Sequence, residues 1–294
     1  MPNGQSSLVK ARTEGLSASG ERPEQPRLRR RVLNAAVFSR AGVRVLPRLA
    51  PGMAKLYNII LNNDLSPRIN GEYWLVSRLQ NPQVLLDVGF HRGEWTRECS
   101  QRFPSAKIYG FDPWPSARVF FDEGDFSNNI QLVDIALSNI EGPSRFYDYD
   151  SACNSLAKRD LEGLELIESY DVEVTTLDSW CARQSLDRID FLKIDVEGYD
   201  LAVLEGAHRL LKAQAIDALS FEYGAAWIAS RRYLGEAERY LSEHGYSLFK
   251  LFPGFLAPFE YRLECETFHD AMFVGLSPDA LTAAGFPTRR VHGV

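Results

Sequence analysis

Hydrophobic positions in this chain cluster into short apolar runs that end on acids, and stretches with helical spacing separate them; that alternation predicts an α/β fold. The first run is Val84-Leu85-Leu86-Asp87-Val88, after which Gly89 and Gly93 lead into a helix-like segment. A second, residues 107–112, ends at Asp112, and Pro113 and Pro115 stop it and open a helix carrying Val119, Phe120 and Phe121. Residues 130–138 read as a third strand with Asp134 near its end, and residues 188–195 as a fourth with helical spacing behind it at residues 201–207. Residues 215–223 read as another buried strand, ending Phe221-Glu222-Tyr223. Residues 231–244 have helical spacing at Leu234, Ala237, Tyr240 and Leu241, stopped by Gly245. Two closing strands, residues 246–252 and 269–275, flank a loop rich in Pro and Phe, which either covers the mouth of the sheet, as suits a glycan or lipid-linked acceptor, or packs as a crossover.

The N-terminal part differs. Residues 1–27, rich in Ser, Gly, Pro and Glu, read as a disordered tail, and from Leu28 a helical pattern sets Arg29, Arg30, Arg31, Arg40, Arg44 and Arg48 around Val32, Leu33, Ala36, Val37 and Phe38. The first 60 residues hold 11 Lys and Arg against 3 Glu, a balance of +8, while the remainder carries 22 basic and 36 acidic residues, a balance of −14. Such a basic amphipathic segment either lies on an anionic membrane or phosphate-bearing substrate, or caps the next domain with its arginines in water. Residues 63–80, with Tyr73-Trp74, are expected to link it to the main domain and to supply a wall of the substrate pocket. Cys99, Cys153, Cys181 and Cys265 form no CxxC pair, which predicts neither a zinc ribbon nor a disulfide framework and fits reduced thiols in a cytoplasm. No run reaches the length of a membrane span, and no compact apolar core of a signal peptide stands near Met1. Oligomeric state has no signature here.

Chemistry enters at the glycine turn. Its DxGxxxG pattern is neither the GxGxxG of dinucleotide folds nor a phosphate loop, since no Lys-Ser or Lys-Thr follows Gly93, so a nucleoside with few or no phosphates is favoured. Asp112 lies about 20 residues past the turn, the separation at which a carboxylate meets ribose hydroxyls in a nucleoside-binding βαβ unit. Asp134 either flanks an adenine or caps a turn.

The string KIDVEG at Lys193 to Gly198, with LEGA behind it, DVGxxxG, FDPWP, ALSN and the TTLDSW run at Thr175 to Trp180, resembles the FkbM-type methyltransferases over residues 83–276. That resemblance implies a doubly wound, mostly parallel Rossmann-like sheet with an antiparallel final hairpin, preceded here by an N-terminal helical extension. It also implies S-adenosylmethionine as cofactor and methylation directed at a hydroxyl oxygen of a sugar, glycan or secondary metabolite, with no nucleic-acid partner. By position it gives cofactor-binding roles to Asp87, Gly89, Gly93, Asp112 and Asp195, and places Glu197 and Gly198 in the KIDVEG motif. The chain has Phe90-His91 where the family usually has Ala-Asn, and Asp112 where it usually has Glu. The domain expectation is a tail over residues 1–27, a basic helical cap and linker over 28–82, the methyltransferase domain over 83–276 and a C-terminal tail over 277–294.

A carbohydrate hydroxyl is a poor nucleophile, and a group that takes its proton as the bond forms helps it. Asp195, Glu197 and Glu222 sit near strand ends, where open α/β sheets bind ligands, and His269 starts a closing strand. Glu197, Glu222 and His269 are the candidate catalytic groups, and the carboxylates are also suited to hold Mg²⁺, because hard oxygen ligands fit that ion. The blander readings are a helix cap for Glu197 and a surface residue for His269. Two other classes stay open: a nicotinamide-dinucleotide oxidoreductase or epimerase, which lacks its third glycine and its Tyr-xxx-Lys pair here, and a non-catalytic nucleoside-binding module.

Overall fold

Strand Val84–Val88 (β1) shows how the sequence builds two cores at once. Successive side chains point to opposite faces, so Leu86 and Val88 enter a cluster with Leu177, Trp180, Leu201 and Leu204, while Leu85 enters another with Leu75, Trp95 and Cys99. Both are essentially free of solvent, and truncating Leu85 or Leu86 to alanine is expected to cost about 2–5 kcal/mol. Asp87 shares the face of Leu85, which makes it a buried acid needing partners.

The computed structural model describes residues 37, 39, 42–64, 66–149, 151, 153–159, 165–283 and 285–291. The expected tail over residues 1–27 and most of the basic segment after Leu28 lie outside them. The chain divides into two compact units, Met1–Tyr57 and Asn58–Val294. The helix Gly42–Ile60 begins in the first unit, where it carries exposed Leu49, Met53 and Leu56, and its last residues fall in the second. Among the described residues no helix is long and apolar enough to cross a membrane.

The second unit holds β1, then Lys107–Phe111 (β2), Ile130–Val133 (β3), Ala136–Leu137 (β4), Gly142–Asp148 (β5), Glu168–Thr175 (β6), Ile189–Ile194 (β7), Ile216–Tyr223 (β8), Ser247–Phe252 (β9), Phe255–Pro258 (β10) and Ala271–Leu276 (β11). Eight of these form one sheet in the order β10-β9-β11-β8-β7-β1-β2-β3; β3 to β8 within it run parallel, and β11, β9 and β10 are antiparallel. Helices Glu94–Arg102, Leu177–Gln184 and Leu234–Glu243 contribute to the two cores that cover its faces. The chain winds outward from β1 in both directions, to β2 and β3 on one side and to β7 and β8 on the other. That reversal opens a crevice at the carboxyl ends of the strands. The doubly wound sheet with an antiparallel final part is as expected.

Two features differ from the expectation. The stretch 130–138 is not one strand: β3 stops at Val133, Asp134 lies in an exposed turn held by Arg118, and Ala136–Leu137 cross to a second sheet of order β4-β6-β5. That second sheet was not anticipated. The Pro- and Phe-rich segment, read as a loop covering the mouth or packing as a crossover, contains an edge strand: β10 folds back on β9, Phe252 stacks on Phe255, and Phe259 packs edge-on against Phe273. Residues 58–82 pack within the second unit: Asn62 donates to the Leu251 carbonyl, Lys250 bonds Asn63, and Leu75 and Val76 are buried.

Candidate active site

Four strand ends converge on the crevice. Gly89 and His91 follow β1, Asp112 and Trp114 follow β2, Ile135 to Leu137 lead from β3, and Asp195 to Glu197 follow β7, while Asn154 to Leu156 reach in from the segment between β5 and β6. Gly89 has φ +93°, and a Cβ there would fall 1.9 Å from the Asp195 carbonyl oxygen, so only glycine lets the β1 and β7 turns approach this closely. Asp112 closes the β2 side. Its Oδ2 accepts from the His91 N–H at 2.7 Å and its Oδ1 from the Trp114 N–H at 3.0 Å, which fixes the carboxylate and leaves a second lone pair on each oxygen. Burial pushes this carboxyl up to about 6, against the pull of those two N–H groups. The His91 ring stacks on Trp114 at 5.4 Å, and its Nε2 is buried without a hydrogen-bond partner, as is the Asn154 Nδ2.

Beneath the crevice lies a charge ladder set by strand register. Lys193 on β7 is directly opposite Asp87 on β1, and its ammonium lies 3.5 Å from Asp87 and 3.0 Å from Asp195. Burial works against that charge, yet Asp195, Asp87 and Glu72 outweigh it and hold Lys193 well above its usual range. Thr96 donates to Asp87 at 2.7 Å. Asp87 is thus the anchor of Lys193, and Lys193 in turn steadies Asp195.

Beside the crevice a second cavity is lined by Arg159, Glu197, Asp200, Glu222, Trp227 and Asp270. Glu197 belongs to both spaces. Its backbone is left-handed, with φ +56°, a strained conformation for a non-glycine residue that turns its carboxyl back toward Arg159, with which it forms a buried ion pair. The side chain is therefore not a helix cap; Asp200 instead accepts from the Gly198 N–H at 3.1 Å. Burial, followed by the charge of Asp195, raises Glu197 to about 7. Glu222 lies at the end of β8 and shares a hydrogen bond with Asp195. Burial and the neighbouring Asp195 and Glu197 charges raise it well above the carboxylate range, whereas Asp195 is held low, burial notwithstanding, by Lys193. Asp200 is fully buried, pushed up to about 7 chiefly by that burial, and its Oδ1 has no partner.

Of the residues singled out from sequence, the fold brings Gly89, Asp112, Asp195 and Glu197 around the crevice and Glu222 beside it. Asp87 sits below, behind Lys193. Gly93 faces the rings of Phe90 and Phe126 rather than the crevice. Asp134 is outside, its carboxylate bound 2.8 Å from Arg118, while its neighbours Ile135 to Leu137 supply the apolar wall. His269 is exposed and lines neither space. Phe90 packs away from the crevice with Phe121 and Phe126. Residues 63–80 line neither space, but Glu72 reaches the charge ladder from below. Arg159, Asp200, Asp270 and Trp114 had not been singled out. Only Trp114, inside the FDPWP string, had a local signal.

The crevice lies at the switch point of a doubly wound α/β sheet, the place where such folds bind ligands. A profile of the Methyltransferase FkbM domain matches residues 87–248. The chain belongs to that family. It is also 28% identical over 153 residues to "2-O-methyltransferase NoeI" of Sinorhizobium fredii (strain NBRC 101917 / NGR234), a match covering 47% of this chain and 63% of that protein. The chain thus spans less than two thirds of the length of that curated relative. Looser likenesses run to a precorrin-6y C5,15-methyltransferase from Geobacter metallireducens and a fibrillarin pre-rRNA processing protein of Methanococcus jannaschii. The first has a TM-score of 0.38 at 14% identity over 70% of this chain and 86% of that one; the second has 0.38 at 12%, over 68% of each. Neither bears on the reaction.

Proposed function

We propose that this chain is an S-adenosylmethionine-dependent O-methyltransferase acting on a hydroxyl of a small-molecule or glycan acceptor. The observation that carries the reading is the position of Glu197, shared by the nucleoside crevice and the acid-lined cavity. S-adenosylmethionine, when bound, supplies an electrophilic methyl carbon. The crevice fits it on two counts: the buried, partnerless Nε2 of His91 and Nδ2 of Asn154 line the space, and Asp112 is fixed with lone pairs to spare for a ribose diol. Ile135 to Leu137 offer an apolar wall for the base. Holding two reactants in line removes much of the entropic cost of their encounter. FkbM membership favours this over a dinucleotide-dependent oxidoreductase, and the similarity to the Sinorhizobium 2-O-methyltransferase supports oxygen as the acceptor atom.

The acceptor hydroxyl approaches through the acid-lined cavity, and its proton leaves into the cluster around Glu197. A bare carboxylate takes that proton itself, whereas Mg²⁺ held there would acidify the hydroxyl. A cytoplasmic location belongs to the same proposal and rests on the four free cysteines, while peripheral membrane contact through the basic residues 28–49 rests on the +8 balance of the first 60 residues. Turnover of Glu197→Gln on host glycans or metabolites, using labelled cofactor, tests the reading. We expect a rate at least about 100-fold below wild type with cofactor affinity nearly unchanged. Equal turnover in the two proteins would remove Glu197 from the reaction, and no turnover on any such extract by wild type would favour a binding module.

A further inference from the structure

We propose that Asp195, Glu197 and Glu222 form a binding site for a divalent cation of the Mg²⁺ or Mn²⁺ type, open toward the acid-lined cavity, where it receives the acceptor hydroxyl. The ion site stands on its own geometry; only its role toward the hydroxyl rests on the methyltransferase reading.

Register brings the three acids together. Ile194 on β7 pairs with Phe221 on β8, so the next residues, Asp195 and Glu222, leave adjacent parallel strands side by side, and the left-handed turn at Glu197 folds a third carboxyl back onto them. One oxygen from each residue lies within 4.8 Å of the other two. Oxygen ligands about 2.1 Å from a small ion stand roughly 3 Å apart when adjacent and about 4.2 Å apart when opposite, so this spacing suits a shared ion. The donor set is all hard oxygen, with neither histidine nor cysteine, which selects Mg²⁺, Mn²⁺ or Ca²⁺ over zinc or copper.

Charge leaves a place for a cation. Lys193 is committed to Asp87 and Asp195, and Arg159 to Glu197. Among the described residues no lysine or arginine pairs with Glu222. A second feature points the same way: Asp200 lines this cavity, is wholly buried, and has Oδ1 without any partner, an arrangement that costs free energy unless something donates to it. A hydrated ion held by the three acids would bring donor waters to that oxygen. The Gly198 turn lines the same cavity and packs tightly on the next segment, since a Cβ there would meet the Ala226 carbonyl oxygen at 2.4 Å. An ion in this position would withdraw charge from a hydroxyl oxygen bound to it and so lower its proton affinity.

Titration of the full chain with Mn²⁺, followed by the electron-spin signal of the free ion, tests the site without any turnover. We expect saturable binding of one ion, weakened at least about tenfold in Glu222→Gln and in Glu197→Gln. Asp171→Asn, which alters an exposed acid paired with Arg145 at 3.4 Å, is expected to bind like wild type. EDTA is expected to remove turnover and Mg²⁺ to restore it. Absence of saturable Mn²⁺ binding by wild type at millimolar concentrations would overturn the inference, as would equal binding by wild type and both glutamine variants; the wild-type titration decides even if a variant fails to fold. A parallel titration with S-adenosylmethionine separates the two claims. Cofactor binding without Mn²⁺ binding would refute the ion site alone, and Mn²⁺ binding without cofactor binding would refute the methyltransferase reading alone.

Discussion

On the crevice side of Glu197 the acids are held by the chain itself, Asp112 by two backbone N–H groups and Asp87 by Thr96 and Lys193, and the partnerless polar atoms there are the nitrogens His91 Nε2 and Asn154 Nδ2. The cavity side is the opposite. It gathers Glu197, Asp200, Glu222 and Asp270, carries a left-handed glutamate, and leaves Asp200 Oδ1 and Arg159 Nε buried without partners. Acids fixed by the chain suit holding one ligand in a set pose, while a buried acid left without a partner marks where a protein defers completion to its substrate or an ion.

That contrast can be attacked from the cradle side first. Gly89→Val places side-chain atoms where the Asp195 carbonyl already sits, so it is expected to lower thermal stability and to weaken S-adenosylmethionine binding by well over tenfold. Normal stability and affinity in this variant would mean that the β1 and β7 turns are not locked together. Asp112→Ala removes a charged acceptor, a loss of roughly 1.5–3 kcal/mol, or about 10- to 100-fold in cofactor affinity by calorimetry. Unchanged affinity in a folded protein would take the ribose role from Asp112.

A smaller effect is expected from pH. Burial raises the Asp112 carboxyl to about 6, with Asp87 and Lys193 acting on it in opposite directions. Its ionised form is the better diol acceptor, so cofactor affinity should fall as pH drops through about 6. The sign for stability is reversed: because the folded state holds this proton more tightly than the unfolded chain, the Asp112 contribution to stability rises as pH falls from about 6 toward the ordinary value of 3.8. Asp112→Asn should flatten both dependences, and a wild-type affinity that is level between pH 5 and 7 would contradict the assignment.

The cradle was also the part most legible in the sequence, and the physical reason is locality. Asp87, Gly89, Asp112 and the KIDVEG string each lie at the end of an apolar run, where strand, turn and ligand-facing residue follow one another within a few positions. The cavity side is assembled from distant segments. Arg159 comes from the stretch between β5 and β6 and meets Glu197 only through tertiary folding, and no pattern around it announces an ion pair. Asp200 looks like an ordinary first-turn helix acid until its burial is seen. The second sheet escaped because β5 and β6 alternate half-exposed polar residues with few buried ones, so their hydrophobic signal is weak. Asp134 shows the converse error, since the run of residues 130–138 is continuous in hydrophobicity but is cut in space where Arg118 captures the acid.

Everything proposed for the switch-point crevice requires that it bind S-adenosylmethionine. Calorimetric titration of the purified full chain with S-adenosylmethionine and, separately, with NAD tests it most directly. We expect saturable binding of one S-adenosylmethionine, weakened in Asp112→Ala, and no binding of NAD; saturable NAD binding with no heat from S-adenosylmethionine would overturn the assignment.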